Sequence, residues 1–163
     1  MQASATPEER LVALGLKLPV AAQALGNYEP WCIVGNLLMI SGQFPWIDGE
    51  LQFKGRLGRE LDLSEGYAAC RLAMLNAIAQ LKCAVGELRH IRRIYRLEGI
   101  LNVAEGFHDH PKALDGASDL ALQVFGDRGR HTRMIFSNPV MPMDSFCLVY
   151  AFAEVDLSAL EAK

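Results

Sequence analysis

The chain has 163 residues, 51% of them apolar, with 16 basic against 19 acidic residues and a net charge of -3. That length suits one domain with a substantial core, and the acidic balance argues against a nucleic-acid partner, which would be matched by a basic excess. No run reads as a membrane span. The opening Met-Gln-Ala-Ser-Ala-Thr-Pro-Glu-Glu lacks the basic and apolar regions of a secretion signal, so the expected setting is cytoplasmic.

Thr6-Pro7-Glu8-Glu9 predicts a helix start: Thr6 caps, Pro7 suits the first turn and Glu9 closes a capping box. The helix ends near Gly15, and Lys17 to Leu25 connects it to the rest. The apolar stretch Trp31 to Ile40, broken by Gly35-Asn36, reads as a β-hairpin with strands near Tyr28–Val34 and Leu37–Ser41. Asp48-Gly49 marks a turn before a short strand, Leu51–Phe53. Lys54 to Asp62 reads as an exposed loop. The longest helix runs from Ser64 to about Ala84, closed by Gly86, with alanines frequent enough to pack closely on a sheet. Ile91 to Leu101 reads as a strand and Pro111 to Phe125 as a second core helix stopped by Gly126. Arg133 to Val140 and Phe146 to Val155 are the last strands, separated by a turn whose two prolines, Pro139 and Pro142, do not suit a central strand. This order is α+β, two long helices covering one face of a mixed sheet.

Of the four cysteines, Cys32, Cys70, Cys83 and Cys147, none forms a Cys-x-x-Cys pair. Cys70 and Cys83 fall on one helix about 20 Å apart, beyond disulfide reach. Free, mostly buried thiols are expected.

The stretch that points most directly to chemistry is Gly129-Arg130-His131-Thr132-Arg133, just ahead of Met134-Ile135-Phe136. Arginine presents a planar fork of donors that grips a carboxylate in two places. Arg133 abuts the strand, and His131, two residues away in an extended segment, shares its face. A small carboxylate-bearing molecule is the partner this pattern suits. The plainer reading is an arginine paired with a local acid such as Asp127 or Glu154.

Several motifs in one order resemble the RidA family, also called YjgF, of reactive intermediate deaminases. Gly26-Asn27-Tyr28 is similar to the family's Gly-Pro-Tyr, and Ser41-Gly42-Gln43-Phe44-Pro45 to its Ser-Gly-Gln-x-Pro, with the Tyr28-to-Gly42 spacing kept. Arg133 falls at the family's substrate-binding arginine, and Pro142 keeps a proline nine residues beyond it. The resemblance covers Gly26 to Val155, giving one domain over 1–163 with an N-terminal helical extension, 1–25, and a core, 26–155. Gly116-Ala117-Ser118-Asp119-Leu120, Val124-Phe125-Gly126 and Gly129-Arg130-His131 look like a longer-chain branch.

The resemblance implies a chorismate-mutase-like fold, a homotrimer built around a barrel, and a site in each cleft between neighbours. It implies hydrolysis of enamine or imine intermediates to 2-keto acids and ammonia, with no metal and no organic cofactor. Arg133 would then hold the carboxylate, Tyr28 line the cleft, and Gly42 let the backbone approach the ligand. Asp115 and Ser118 both stand near the family's pocket asparagine. Two departures matter. Ile135 stands where the family's enzymes carry a cysteine, and Leu148 where they carry the glutamate that orients water, a role no aliphatic side chain fills. His131 is the available proton carrier, with Glu154 a more distant substitute.

Three other readings compete. A non-catalytic trimer would bind a metabolite in the same cleft, as loss of the glutamate and cysteine favours. His108-Asp109-His110 suggests a metal, but no third ligand is placed near it, and a helix entry capped near Asp109 accounts for it better. Arg89, Arg92, Arg93 and Arg96 suggest RNA. Yet Arg92 and Arg96 fall on one strand face and Arg93 on the other, and pairing with Glu87 and Glu98 explains them.

Overall fold

The computed structural model describes residues 5–160. Helix α1 (Pro7–Ala13) starts as its sequence dictates: the Thr6 side chain accepts from Glu9 N, and the Glu9 carboxylate accepts from Thr6 N. The hairpin is β1 (Trp31–Val34) and β2 (Leu37–Ile40), turning at Gly35 with φ 60°. Strand β1 begins three residues later than expected, after Pro30, which has no N–H to give a ladder. A second, two-residue pairing joins β3 (Trp46–Ile47) to β4 (Glu50–Leu51) around Asp48-Gly49. It replaces the expected strand at Leu51–Phe53.

Helix α2 (Leu63–Val85) is capped reciprocally by Asp62 and Glu65 and closed by Gly86. Strand β5 (Ile91–Asn102), helix α3 (His110–Phe125), strand β6 (Thr132–Asn138), strand β7 (Cys147–Val155) and the short α4 (Leu157–Leu160) complete the chain. The five-stranded sheet has the order β1-β2-β7-β5-β6. Only β5 and β6 pair in parallel, as the β5-α3-β6 crossover requires. The loop over residues 54–62 is less exposed than expected: Leu57 and Leu61 turn into the core, and Leu57 N donates to Asn102 O.

Both long helices cover one sheet face. Gly116 of α3 faces the carbonyl of Tyr67 on α2, and any side chain there would collide with it, so the two helix backbones touch. The Tyr67 hydroxyl donates to Asp119 across the same seam at 2.8 Å. Leu11 of α1 joins this core. By length and apolarity α2 would suffice to cross a membrane, but most of it is buried as the central core helix.

Among the described residues no helix covers the opposite sheet face. Its rows run Cys32–Met39–Phe152–Arg96–Thr132, then Tyr150–Glu98–Met134, then Leu148–Ile100–Phe136. Met134 and Phe136, on the edge strand, are 42% and 48% exposed. Two irregularities in β5, at Ile91/Arg93 and Ile94/Arg96, change the expected alternation. Such bulges add a residue and shift the face, so Arg93 lies opposite Glu154 and Arg96 opposite Phe152, on one face rather than two.

All four thiols are free, but Cys32 and Cys83 are exposed, fewer buried than expected. Cys70 and Cys147 meet between α2 and β7. Burial pushes the Cys147 thiol well up, and the Cys70 contact adds to this.

Candidate functional site

Helix α3 and the edge strand β6 bring four side chains together. Arg133 stands opposite Leu97 on β5, which sets its side chain toward the helices. Its Nη1 donates to Asp115 Oδ1 at 2.6 Å and to Ser118 Oγ at 3.3 Å, while Nη2 meets the Pro111 carbonyl at 3.4 Å. Asp115 and Ser118 are one α-helical turn apart, so both face the arginine. The ion pair is open to solvent, with 30% and 47% of the two side chains exposed. The expected local acids are engaged elsewhere: Asp127 pairs with Arg130, and Glu154 accepts from Asn36.

His131 reaches the same serine. Its Nδ1 lies 2.6 Å from the Gly129 carbonyl and its Nε2 3.1 Å from Ser118 Oγ. A carbonyl only accepts, so Nδ1 carries the proton. Burial holds this ring below the usual histidine value, and the Arg133 charge adds to that against the Gly129 bond. In the neutral ring Nε2 is then a base, accepting the Ser118 hydroxyl proton. Ser118 Oγ thus receives from Arg133 and gives to His131.

Tyr28 and Gly42 lie apart from this cluster. Gly42 follows β2, and β7 and β5 stand between β2 and β6. Three strand spacings separate the two flanks by about 14 Å. Tyr28 is half exposed and its hydroxyl accepts from Leu25 N at 3.2 Å. A Cβ on Gly42 would lie 2.6 Å from both Leu148 and Tyr150, so their side chains already fill that space. Leu148 therefore packs beside Gly42, and Ile135 lies on β6 opposite Gly99. Glu154 sits opposite Leu37 and Arg93, toward the other end of β7.

Tyr28 and Gly42 also border a pocket of about 420 Å³, lined by the 19–25 segment, residues 41–44 and α2. Two of its residues, Asn76 and Gln80, are buried amides four apart in the otherwise apolar stretch Leu72–Leu81 of α2. That i, i+4 spacing on one face was the available signal, and the sequence reading did not use it.

The basic run is internally paired. Arg89 meets Glu87, Arg92 meets Asp156 and Arg96 meets Glu98, while Arg93 Nε donates to the Arg130 carbonyl. Asp109 occupies the α3 cap position, but its carboxylate pairs with Lys112 instead of capping. Among the described residues no three His, Cys, Asp or Glu side chains gather as a metal-binding group.

Residues 8–155 match the family model described as "YjgF/chorismate_mutase-like, putative endoribonuclease". The chain belongs to this YjgF family. Among YjgF relatives, Protein TCP17 of Trypanosoma cruzi is 35% identical over 155 residues, covering 94% of this chain and 97% of that protein. A crystal structure from Shewanella oneidensis with the same endoribonuclease description is 66% identical, with TM-score 0.91, covering 93% of this chain and all of that one. TdcF of Escherichia coli, solved with bound serine, is 19% identical with TM-score 0.58, covering 83% of this chain and 94% of that one, and shares the YjgF fold. The α+β, chorismate-mutase-like architecture is that of the family.

Proposed function

We propose that this YjgF chain hydrolyses small imines or enamines bearing a carboxylate to 2-keto acids and ammonia, in a cleft between two copies of a homotrimer. The observation that carries the reading is the Asp115–Arg133–Ser118–His131 cluster. Arg133 takes the substrate carboxylate in place of the Asp115 carboxylate and fixes the C=N carbon beside Ser118. Water attacks that carbon. Its proton passes to Ser118 Oγ as the hydroxyl proton moves to His131 Nε2. The proton returns to the imine nitrogen and completes the neutral carbinolamine; its hydroxyl proton then travels the same Ser118–His131 path to nitrogen, so ammonia leaves as the C=O forms. The chemistry needs no metal or organic cofactor.

Two features support the trimer. The bare sheet face, ending in Met134 and Phe136, needs cover, and Tyr28 and Gly42 meet an Arg133 cluster only if another copy supplies one. Bound serine in TdcF, a ligand with an α-carboxylate, is in keeping with this class of substrate. A second reading, a trimer that binds such acids without turnover, is favoured by Leu148 and Ile135 in place of the family's glutamate and cysteine. It is favoured too by the hold of Asp115 on Arg133.

The test is decay of 2-imino acids generated in situ by an amino-acid oxidase. Acceleration by the wild type that vanishes in Arg133→Ala is expected. Thermal stabilisation by 2-keto acids with no acceleration would establish the binding reading instead.

A further inference from the structure

The pocket beside β2 opens from the same cleft. Tyr28, Ser41 and Gly42 form one border of it. From there it runs past Phe44 and Trp46 to the 19–25 segment and α2, with a volume of about 420 Å³. That is room for a whole small molecule, far more than the carboxylate and C=N unit that an arginine fixes.

Two buried amides of α2 hold the pocket's walls. Asn76 Nδ2 donates to Trp46 O and Leu72 O at 3.0 Å each, and Gln80 Nε2 donates to Ala22 O at 2.6 Å. The two residues are 3% and 1% exposed, so these bonds are shielded from water. The 19–25 segment belongs to no helix or strand. Its distance from the Trp46 strand is therefore set by one turn of α2, through Asn76 on one wall and Gln80 on the other.

The space between the walls is apolar. Phe44 and Trp46 stand edge to face with centroids 5.9 Å apart, and Ala24 and Leu25 add to the lining. Such rings pack well against a further ring in edge or offset geometry. Asp48 is the one charged side chain on the border, and it repels a second carboxylate.

We propose that this pocket is the side-chain subsite of the cleft, and that it selects 2-imino and 2-keto acids carrying a large aromatic side chain. The inference rests on the reading of Arg133 as the carboxylate holder. The carboxylate sits on Arg133 of a second copy, the reacting carbon lies against Gly42, and the ring enters between Trp46 and the 19–25 segment. Asn76 and Gln80 are positioning residues, acting on the ring through the walls they hold.

Calorimetric titration of the full chain with phenylpyruvate, pyruvate and 2-oxoglutarate tests this. Phenylpyruvate binds at least about tenfold tighter than pyruvate, the gain from burying an aromatic side chain, and 2-oxoglutarate binds no tighter than pyruvate. Arg133→Ala weakens phenylpyruvate and pyruvate alike, because they share the carboxylate. Gln80→Met loses the bond to Ala22 at similar volume and brings the affinity ratio of the two acids toward one, whereas a purely structural glutamine would lower both affinities together. Should that variant misfold, Ala24→Trp fills the pocket from outside the core and removes the preference in a folded protein. Equal affinities for phenylpyruvate and pyruvate, tighter binding of 2-oxoglutarate, a preference that survives Ala24→Trp, or phenylpyruvate binding untouched by Arg133→Ala overturns the subsite. The two readings fail separately. Imine turnover with equal affinities removes the subsite alone, and a phenylpyruvate preference without turnover upholds the subsite and removes the hydrolysis.

Discussion

Ser118 and His131 are 13 residues apart in sequence, and their Oγ and Nε2 atoms lie 3.1 Å apart in space. The imidazole is oriented from its other side by the Gly129 carbonyl. This is the pattern of a hydroxyl beside a positioned base. It supplies a proton acceptor for the proposed hydrolysis.

The pH profile follows from the direction of the His131 shift. Burial lowers its folded pKa below the usual value near 6.5. The acid limb of kcat/KM for imine hydrolysis therefore falls below pH 6.5, with a plateau on the neutral side, and His131→Gln removes most turnover. Stability moves in the same sense. Between the folded and unfolded pKa the unfolded chain binds more protons, so stability rises with pH there and is lost as pH falls through that window. Urea titrations of wild type and His131→Gln at pH 5 and pH 7 measure this, and an equal pH dependence in the two proteins would count against it.

Arg133 and Asp115 make opposite predictions. Arg133→Ala lowers kcat/KM at least about a hundredfold, the loss of a bidentate carboxylate contact with its positioning. It changes stability by less than about 1 kcal/mol, because the pair is solvent-open. Asp115→Asn frees the guanidinium from a competing carboxylate and tightens 2-keto acid binding about threefold to tenfold. Titration of both variants with one keto acid decides between this and a purely structural pair, in which Asp115→Asn would weaken binding.

The bare sheet face makes a prediction about assembly. Phe136 sits on the edge strand at 48% exposure, in the row with Ile100 and Leu148. Phe136→Asp places a charge in that row and shifts the proposed trimer to monomer in sedimentation velocity. Imine hydrolysis is lost with it, while the far-ultraviolet circular dichroism is retained. A Phe136→Asp protein that remains trimeric would place the subunit contact elsewhere.

Gly116→Ala tests the helix seam. A methyl group there meets the Tyr67 carbonyl, a main-chain atom that cannot swing aside. The cost is about 1–3 kcal/mol, the usual range for overpacking, read as a lower urea midpoint with an unchanged slope.

The helices were legible because their ends are local chemistry. Thr6 with Glu9, Gly86 and Gly126 act within a few residues of themselves, and the apolar period needs no distant information. The two bulges of β5 were not legible, since nothing in Ile91 to Arg96 says where a partner strand will slip, and so the faces of Arg93 and Arg96 were misassigned. The buried Leu57 and Leu61 were hidden inside a stretch rich in glycine and charge. At the site, Arg133 and His131 stood out by type and spacing. The acid that meets Arg133 lies 18 residues earlier, across a helix-to-strand crossover, where sequence proximity is no guide. Asp115 entered the sequence reading only as a stand-in for an asparagine.

The contact at Gly116 has a consequence beyond packing. Asp115 precedes it by one residue and Ser118 follows it by two, so the close approach that seats α3 on α2 also sets where both side chains stand relative to β6. Substitutions along the Tyr67–Gly116 seam would register first as blurred alignment of the arginine's partners, and only then as unfolding. Laboratory evolution of this cleft should therefore leave that glycine untouched while the surrounding surface drifts.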